Sequence, residues 1–275
     1  MKEDKQVVQV FAKTPIIGHV KTRLIPLLGS GEACELHKKM TFRLIKDLDS
    51  DKYDIQIWTD KDLNHEFFKE FSYPMREQIG KDLGQKMGHA LSSGLSTHQK
   101  VMLVGTDLPE LDNSYLEKVS DDLNRFQIVI GPTLDGGFGL LAARDFDQSM
   151  FEDIVWSSSG VLRVLCRNLI DLKLSFHLSK TLWDVDQPAD YENTLKVGID
   201  KELTLLCANP DLVVDVGDTR EMCAGSLASM YEKMGGKVIY FGKPHNNIYQ
   251  EVYSFLNNVG KPKAESILCI GDGLN

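Results

Sequence analysis

The sequence predicts an α/β protein built on a mostly parallel sheet. Three observations carry this. Short apolar runs (VVQVFA, YDIQIWT, VMLVGTD, QIVIGPT) alternate with segments of helical spacing along the whole chain. Later runs such as LTLLCAN, KVIYFG and SILCIG are apolar at nearly every position, as strands covered on both faces are. The first run feeds a cationic loop, a common way to hold a phosphorylated ligand at the carboxyl edge of a parallel sheet.

Taken in order, residues 7–12 form the first strand, after which Pro15 and Gly18 break the chain and Lys13, Lys21 and Arg23 fall within eleven residues. A helix near 31–48, a strand at 53–59 and a helix near 62–71 follow. The polar segment KDLGQKMGHALSSGL has helical spacing from about residue 83. A buried strand at 101–107 ends in a Gly and an Asp, and a helix at 113–123 leads to a strand at 127–133. Residues 137–143 suit another strand, antiparallel or at an edge, after a Gly-rich turn. A helix at 161–172 precedes LSFHLSKTLWDVD, which ends in a strand and carboxylates. Near residue 196 the pattern starts afresh: strand 203–209, helix 224–236, strand 237–242, helix 246–260 and strand 266–273, a partial Rossmann-like βαβαβ segment. The expected division is a first domain over 1–196 and a second segment over 197–275.

Composition narrows the function classes. The 275 residues are 42% hydrophobic and 26% charged, which is globular rather than disordered. The net charge of −9 is spread over both parts, with 24 basic and 30 acidic residues up to 196 and 7 and 10 after it, so no nucleic-acid footprint is expected. The five cysteines contain no CxxC pair and read as reduced core residues. The polar start MKEDKQ is not a secretory signal, and no apolar run reaches membrane-spanning length. A cytoplasmic protein without membrane or nucleic-acid partners is the expectation.

Carboxylates at strand ends supply the candidate chemistry. Asp107 follows VMLVGT at the carboxyl edge of the sheet, where open α/β sheets bind ligands; the competing reading is a cap for the next helix. Asp184 and Asp186 flank Val185, so in an extended segment both carboxylates point one way. Asp107, Asp184 and Asp186 together would make an oxygen site for Mg²⁺ or Mn²⁺. Asp135, before Gly136 and Gly137, suits either contact with a ligand's hydroxyls or a plain DG hairpin turn. Trp156 reads as core or pocket wall.

The ordered motifs FAKTPIIGHVKTRL, DLGQKM, GTDLPELD, GPTLDGGFGLL, IVWSSSGV and DVDQPADYE, over residues 5–196, resemble a family of bacterial GT-A-like nucleotide-diphospho-sugar transferases associated with radical-SAM or arsenosugar gene clusters. The resemblance implies a GT-A-like sheet with helices on both faces. It places Lys13, Lys21, Thr22 and Arg23 in the nucleotide and phosphate loop, and Gly84, Gln85, Lys86 and Met87 over the nucleotide. Asp107, Asp184 and Asp186 become the metal ligands, and Asp135, Gly136 and Gly137 line the donor or acceptor pocket, with Asp135 a candidate general base. The implied reaction is metal-dependent transfer of a sugar from a nucleotide-diphospho-sugar to a small-molecule acceptor. Two alternatives stay open: a guanylyltransferase-like nucleotidyl transfer to a phosphate acceptor with release of pyrophosphate, and a nucleotide-binding protein without catalysis. Where the family often has an aromatic pair after DGG, this chain has Phe138-Gly139, which predicts a missing pocket wall.

Residues 203–275 resemble the carboxyl-terminal half of a haloacid dehalogenase superfamily phosphatase, with Lys243 of GKPH and Asp272 of GDG at the phosphate- and Mg²⁺-binding positions. That chemistry needs an aspartate nucleophile in a DxDG or DxDT element, and the sequence contains none. Phosphatase activity is therefore not expected, and the segment reads as truncated, complemented by another chain, or kept for packing or homo-oligomerisation.

Overall fold

A computed structural model describes residues 6–49, 51–216, 219–242, 245 and 250. The chain divides into two compact units, Met1–Ile25 with Ser30–Asp190, and Pro26–Gly29 with Tyr191–Asn275.

The first unit holds a seven-stranded sheet of order β3-β2-β1-β4-β6-β5-β7. Its strands are β1 (Gln6–Phe11), β2 (Tyr53–Thr59), β3 (Met75–Glu77), β4 (Val101–Gly105), β5 (Ile128–Pro132), β6 (Phe138–Ala143) and β7 (Phe176–Leu178). All neighbours run parallel except β6, which is antiparallel to both β4 and β5. Residues 137–143 were expected to be antiparallel or at an edge; β6 is antiparallel and interior, a position its buried Leu140–Ala143 run requires. The helices of the first unit are α1 (Ile25–Asp47), α2 (Leu83–Thr97), α3 (Asn113–Asp122) and α4 (Val161–Asp171), while α5 (Pro188–Asp200) has most of its residues in the second unit. The segment expected as a helix near 62–71 forms only a short 3-10 turn, Glu66–Glu70.

Alternation along the strands builds a core on each face. On β4, Met102 and Val104 join Leu44 and Ile45 of α1 and Leu116 and Val119 of α3. Val101 and Leu103 join Leu91 of α2 and Leu165 of α4 on the other face. Helices cover both faces, as the GT-A-like expectation required.

Strand order fixes where a ligand can sit. From central β1 the chain crosses to β2 and β3 on one side, then to β4 on the other. The loops after β1 and β4 therefore leave the sheet in opposite directions and open a crevice between their carboxyl ends. That is where the Lys13–Arg23 loop and Asp107 lie.

The second unit contains β8 (Thr204–Cys207) parallel to β11 (Lys237–Tyr240), linked through an antiparallel hairpin, β9 (Val213–Val216) with β10 (Thr219–Met222), and α6 (Ala224–Lys233). The hairpin was not expected from the sequence. The anticipated helix at 246–260 and strand at 266–273 lie outside the described residues, as do Lys243 and Asp272. Among the described residues Cys34 and Cys207 are buried, and Cys166 and Cys223 half-buried. No helix of the described residues is long and apolar enough to cross a membrane.

Candidate active site

Two cavities meet at Asp107. One, of about 160 Å³, is lined by Lys13, Lys21, His37, Asp107 and Asp186. The other, of about 230 Å³, is lined by Asp107, Asp135, Asp184, Trp156 and Phe138. Phe11 and Gly105, from the ends of β1 and β4, line both, so the crevice between those strands is the shared floor.

Lys21 is the central cation. It adopts a left-handed backbone (φ 48°) before a short 3-10 turn, Thr22–Leu24, which turns its side chain inward until it is only 4% exposed. Its ammonium donates to Asp107 Oδ2 at 3.1 Å and to the Val185 carbonyl at 2.6 Å. An ammonium has three donors, so one remains for a further acceptor. Burial works against the charge on Asp107, but Lys21 outweighs it through its charge and hydrogen bond and holds the carboxyl below its usual range. Asp107 does not cap the next helix; Asp112 does, accepting from the Tyr115 N–H at 2.8 Å.

The carboxylates arrive by a different route from the one expected. Beyond β7 the chain follows β5, with Ser179 N–H donating to the Ile130 carbonyl and Leu182 N–H to that of Pro132. Val185 N–H then donates to the Asp107 carbonyl at 3.0 Å. Residues 183–186 are not a strand, so strand alternation does not apply. Asp184 enters the cavity shared with Asp107 and Asp135, whereas Asp186 lines the cationic cavity and pairs with Arg23 at 2.6 Å. The expected Asp107/Asp184/Asp186 trio is not assembled, and among the described residues no three His, Cys, Asp or Glu side chains are gathered as ligands for one metal. Burial, and then the charges of Asp135 and Asp107, push the Asp184 carboxyl up to about 6.

Asp135 belongs to a turn and to the cavity lining. Its Oδ1 accepts from the Thr133 hydroxyl at 2.6 Å and the Gly137 N–H at 2.9 Å, closing the β5–β6 turn. It also borders the cavity. Gly136 sits at φ 89°, and a Cβ there would lie 2.2 Å from the Ser159 carbonyl oxygen, so the turn packs directly on the loop carrying Trp156.

Of the residues expected over the nucleotide, Met87 lines the acidic cavity from the buried face of α2. Gly84 is buried because a Cβ would meet Phe151 and Trp156 at 2.8 and 2.9 Å. Lys86 is half-buried and Gln85 exposed, with the Gln85 N–H capped by Asp82 at 2.8 Å. Thr22 is exposed. The missing wall predicted at Gly139 does not exist. Leu108 fills that space, 2.4 Å from where a Cβ would stand, and Phe138 packs against Trp156 at 6.5 Å between ring centroids.

His37 escaped the sequence reading. It lies on α1, is 4% exposed, and its Nε2 donates to the Lys13 carbonyl at 2.9 Å, the ring being read as the tautomer that carries its proton there. Burial pushes its pKa down. A neutral ring thus anchors the start of the cationic loop. The only sequence signal for it was a histidine about two turns into the helix expected at 31–48.

Residues 44–158 match the family described as uncharacterized protein conserved in bacteria, DUF2064. A comparison with curated proteins gives no match. Among solved structures, a protein from Desulfovibrio desulfuricans G20, provisionally named a nucleotide-diphospho-sugar transferase, is 21% identical, with a TM-score of 0.68 over 86% of this chain and 100% of its own. A CMP-2-keto-3-deoxy-manno-octonic acid synthetase is 11% identical, with a TM-score of 0.46 over 73% of this chain and 100% of its own. An inositol-1-phosphate CTP transferase from T. maritima is 14% identical, with a TM-score of 0.46 over 69% of this chain and 93% of its own. The likeness to the Desulfovibrio protein establishes the fold as that of the nucleotide-sugar-transferase type, a mostly parallel sheet covered by helices.

Proposed function

We propose that the first unit is a transferase that takes a sugar from a nucleotide-diphospho-sugar and passes it to a small-molecule acceptor. The observation that carries this reading is the pair of cavities of opposite character sharing Asp107. Lys13 and Lys21 suit the diphosphate on one side, and the carboxylates and aromatic rings suit the sugar and acceptor on the other.

The donor set fits Mg²⁺ or Mn²⁺. Asp107 and Asp184 are hard oxygen ligands, and the crowding that raises the Asp184 pKa is relieved by a divalent cation. Mg²⁺ sites commonly use one or two carboxylates with substrate phosphates and waters, so the absence of Asp186 from the set is no obstacle. When bound, the ion supplies charge neutralisation for the departing diphosphate. Lys21, with its third donor, and Lys13 neutralise the same group. The acceptor oxygen bonds to the sugar carbon while the carbon–oxygen bond to the diphosphate breaks and its electron pair leaves with the nucleoside diphosphate. In an inverting reaction Asp135 would take the acceptor's proton through the oxygen not held by Thr133 and Gly137.

The test is a product assay across nucleotide sugars and nucleoside triphosphates with Mn²⁺. Release of nucleoside diphosphate from a nucleotide sugar is expected, and Asp107→Asn should lower it by about a hundredfold or more. Release of pyrophosphate from a triphosphate would establish the nucleotidyl alternative. Metal-independent binding without turnover would establish the binding protein.

A further inference from the structure

The two cavities are segregated by charge. Every cation at the crevice (Lys13, Lys21, Arg23) lies on the phosphate side of Asp107 or, in the case of Arg23, is paired with Asp186 there. Among the described residues no Lys, Arg or His lines the other cavity, which instead has three carboxylates, Asp107, Asp135 and Asp184. Lys21 balances Asp107, and a divalent cation bound there would balance the other two carboxylates, so the compartment keeps no spare positive charge for an anionic group.

Its remaining wall is apolar. Trp156 and Phe138 meet edge to face, with Phe11 and Met87 across the cavity. The apolar character continues onto the rim. Leu83 lines the cavity and is 42% exposed, Leu134, between lining residues Thr133 and Asp135, is 71% exposed, and Val155, next to Trp156, is 72% exposed. Leu83 thus extends the apolar lining to the surface, and Leu134 and Val155 are exposed beside lining residues in the chain.

Resting on the transferase reading above, we infer that the acceptor carries no anionic group and presents an apolar or aromatic face, which lies along Trp156 and Phe138 while its hydroxyl or amine faces the carboxylates. A phosphorylated or carboxylated acceptor would find no cationic side chain lining this cavity and would meet the Asp135 carboxylate at close range. The aromatic wall has no such bar to a neutral group and attracts a cationic one.

Three aromatic probes differing in charge test this: phenyltrimethylammonium, phenyl β-D-glucoside and phenyl phosphate. Each is titrated into the full chain holding saturating pyrophosphate, so that the cationic cavity is already filled, and binding is followed by calorimetry. The cationic and neutral probes are expected to bind at least about tenfold more tightly than phenyl phosphate. Asp135→Asn keeps the acceptor oxygen that closes its turn, and it should narrow that preference severalfold while the chain stays folded. Trp156→Ala should weaken the two favoured probes about tenfold. Phenyl phosphate binding as tightly as the others, or favoured probes that bind Trp156→Ala as well as the native chain or show no millimolar binding, overturns the inference. Failure of pyrophosphate itself to bind counts against the transferase reading instead, and the probe comparison, run without it, still decides the acceptor's charge.

Discussion

Asp107 and Asp184 border the same cavity and are pushed in opposite directions. Lys21 keeps Asp107 ionised, so its contribution to stability is present above the ordinary carboxylate range and is lost as pH falls through its lowered value. Asp184 has a raised pKa of about 6, so its contribution is present below the unfolded value near 4 and is lost as pH rises through about 6. In buffer free of divalent cations, Asp184→Asn is therefore expected to raise the melting temperature at pH 8 by about 2–4 °C, with the gain vanishing at pH 4. Mn²⁺ should stabilise the native chain at pH 8 and not this variant. An Asp184→Asn chain that melts with the native one at every pH would refute the crowding of the three carboxylates. The position of Asp107 in the crevice was legible because a strand running into Gly and Asp places a side chain at the sheet edge whatever surrounds it. The division of Asp184 from Asp186 was not, because it depends on the Val185 N–H donating to Asp107 and the Val185 carbonyl accepting from Lys21, both far away in sequence.

At the scale of elements, α2 and the β5–β6 hairpin build the aromatic wall. Gly84 allows α2 to press on Trp156, and Gly139 allows β6 to lie over Leu108. Gly84→Ala puts a methyl within 2.9 Å of the Trp156 ring and 2.8 Å of Phe151 Cβ. It is expected to cost about 1–3 kcal/mol by overpacking and to displace the ring into or away from the cavity. Denaturant unfolding with tryptophan emission reads both effects, and unchanged stability and emission would remove Gly84 from the wall. The sequence motif DLGQKM was expected over a nucleotide, and of its residues 84–87 Met87 lines the cavity. The distinction between Met87, which faces the cavity, and Gly84, which supports Trp156, comes from packing partners that share no local pattern. The wall feared lost at Gly139 shows the same limit: a glycine in a strand signals close approach, but only the fold identifies the approaching group as Leu108.

For the molecule as a whole, the division into two compact units makes a separable prediction. A chain ending at residue 197 retains all seven strands of the sheet and both cavities. It is expected to stay soluble, to unfold cooperatively, and to bind pyrophosphate within about threefold of the full chain, measured by calorimetry. A truncated chain that folds and no longer binds would show that the second unit contributes to the site.

The sequence by itself determined the class of fold, the strand that carries Asp107 and the cationic loop that faces it. These follow from local apolar periodicity and from residues adjoining strand ends. Only the tertiary structure decided that β6 runs against its neighbours inside the sheet, that His37 anchors the loop at Lys13, and that Asp184 and Asp186 part into different cavities. Each of those outcomes depends on contacts between segments distant in the chain, whose energies local patterns do not encode.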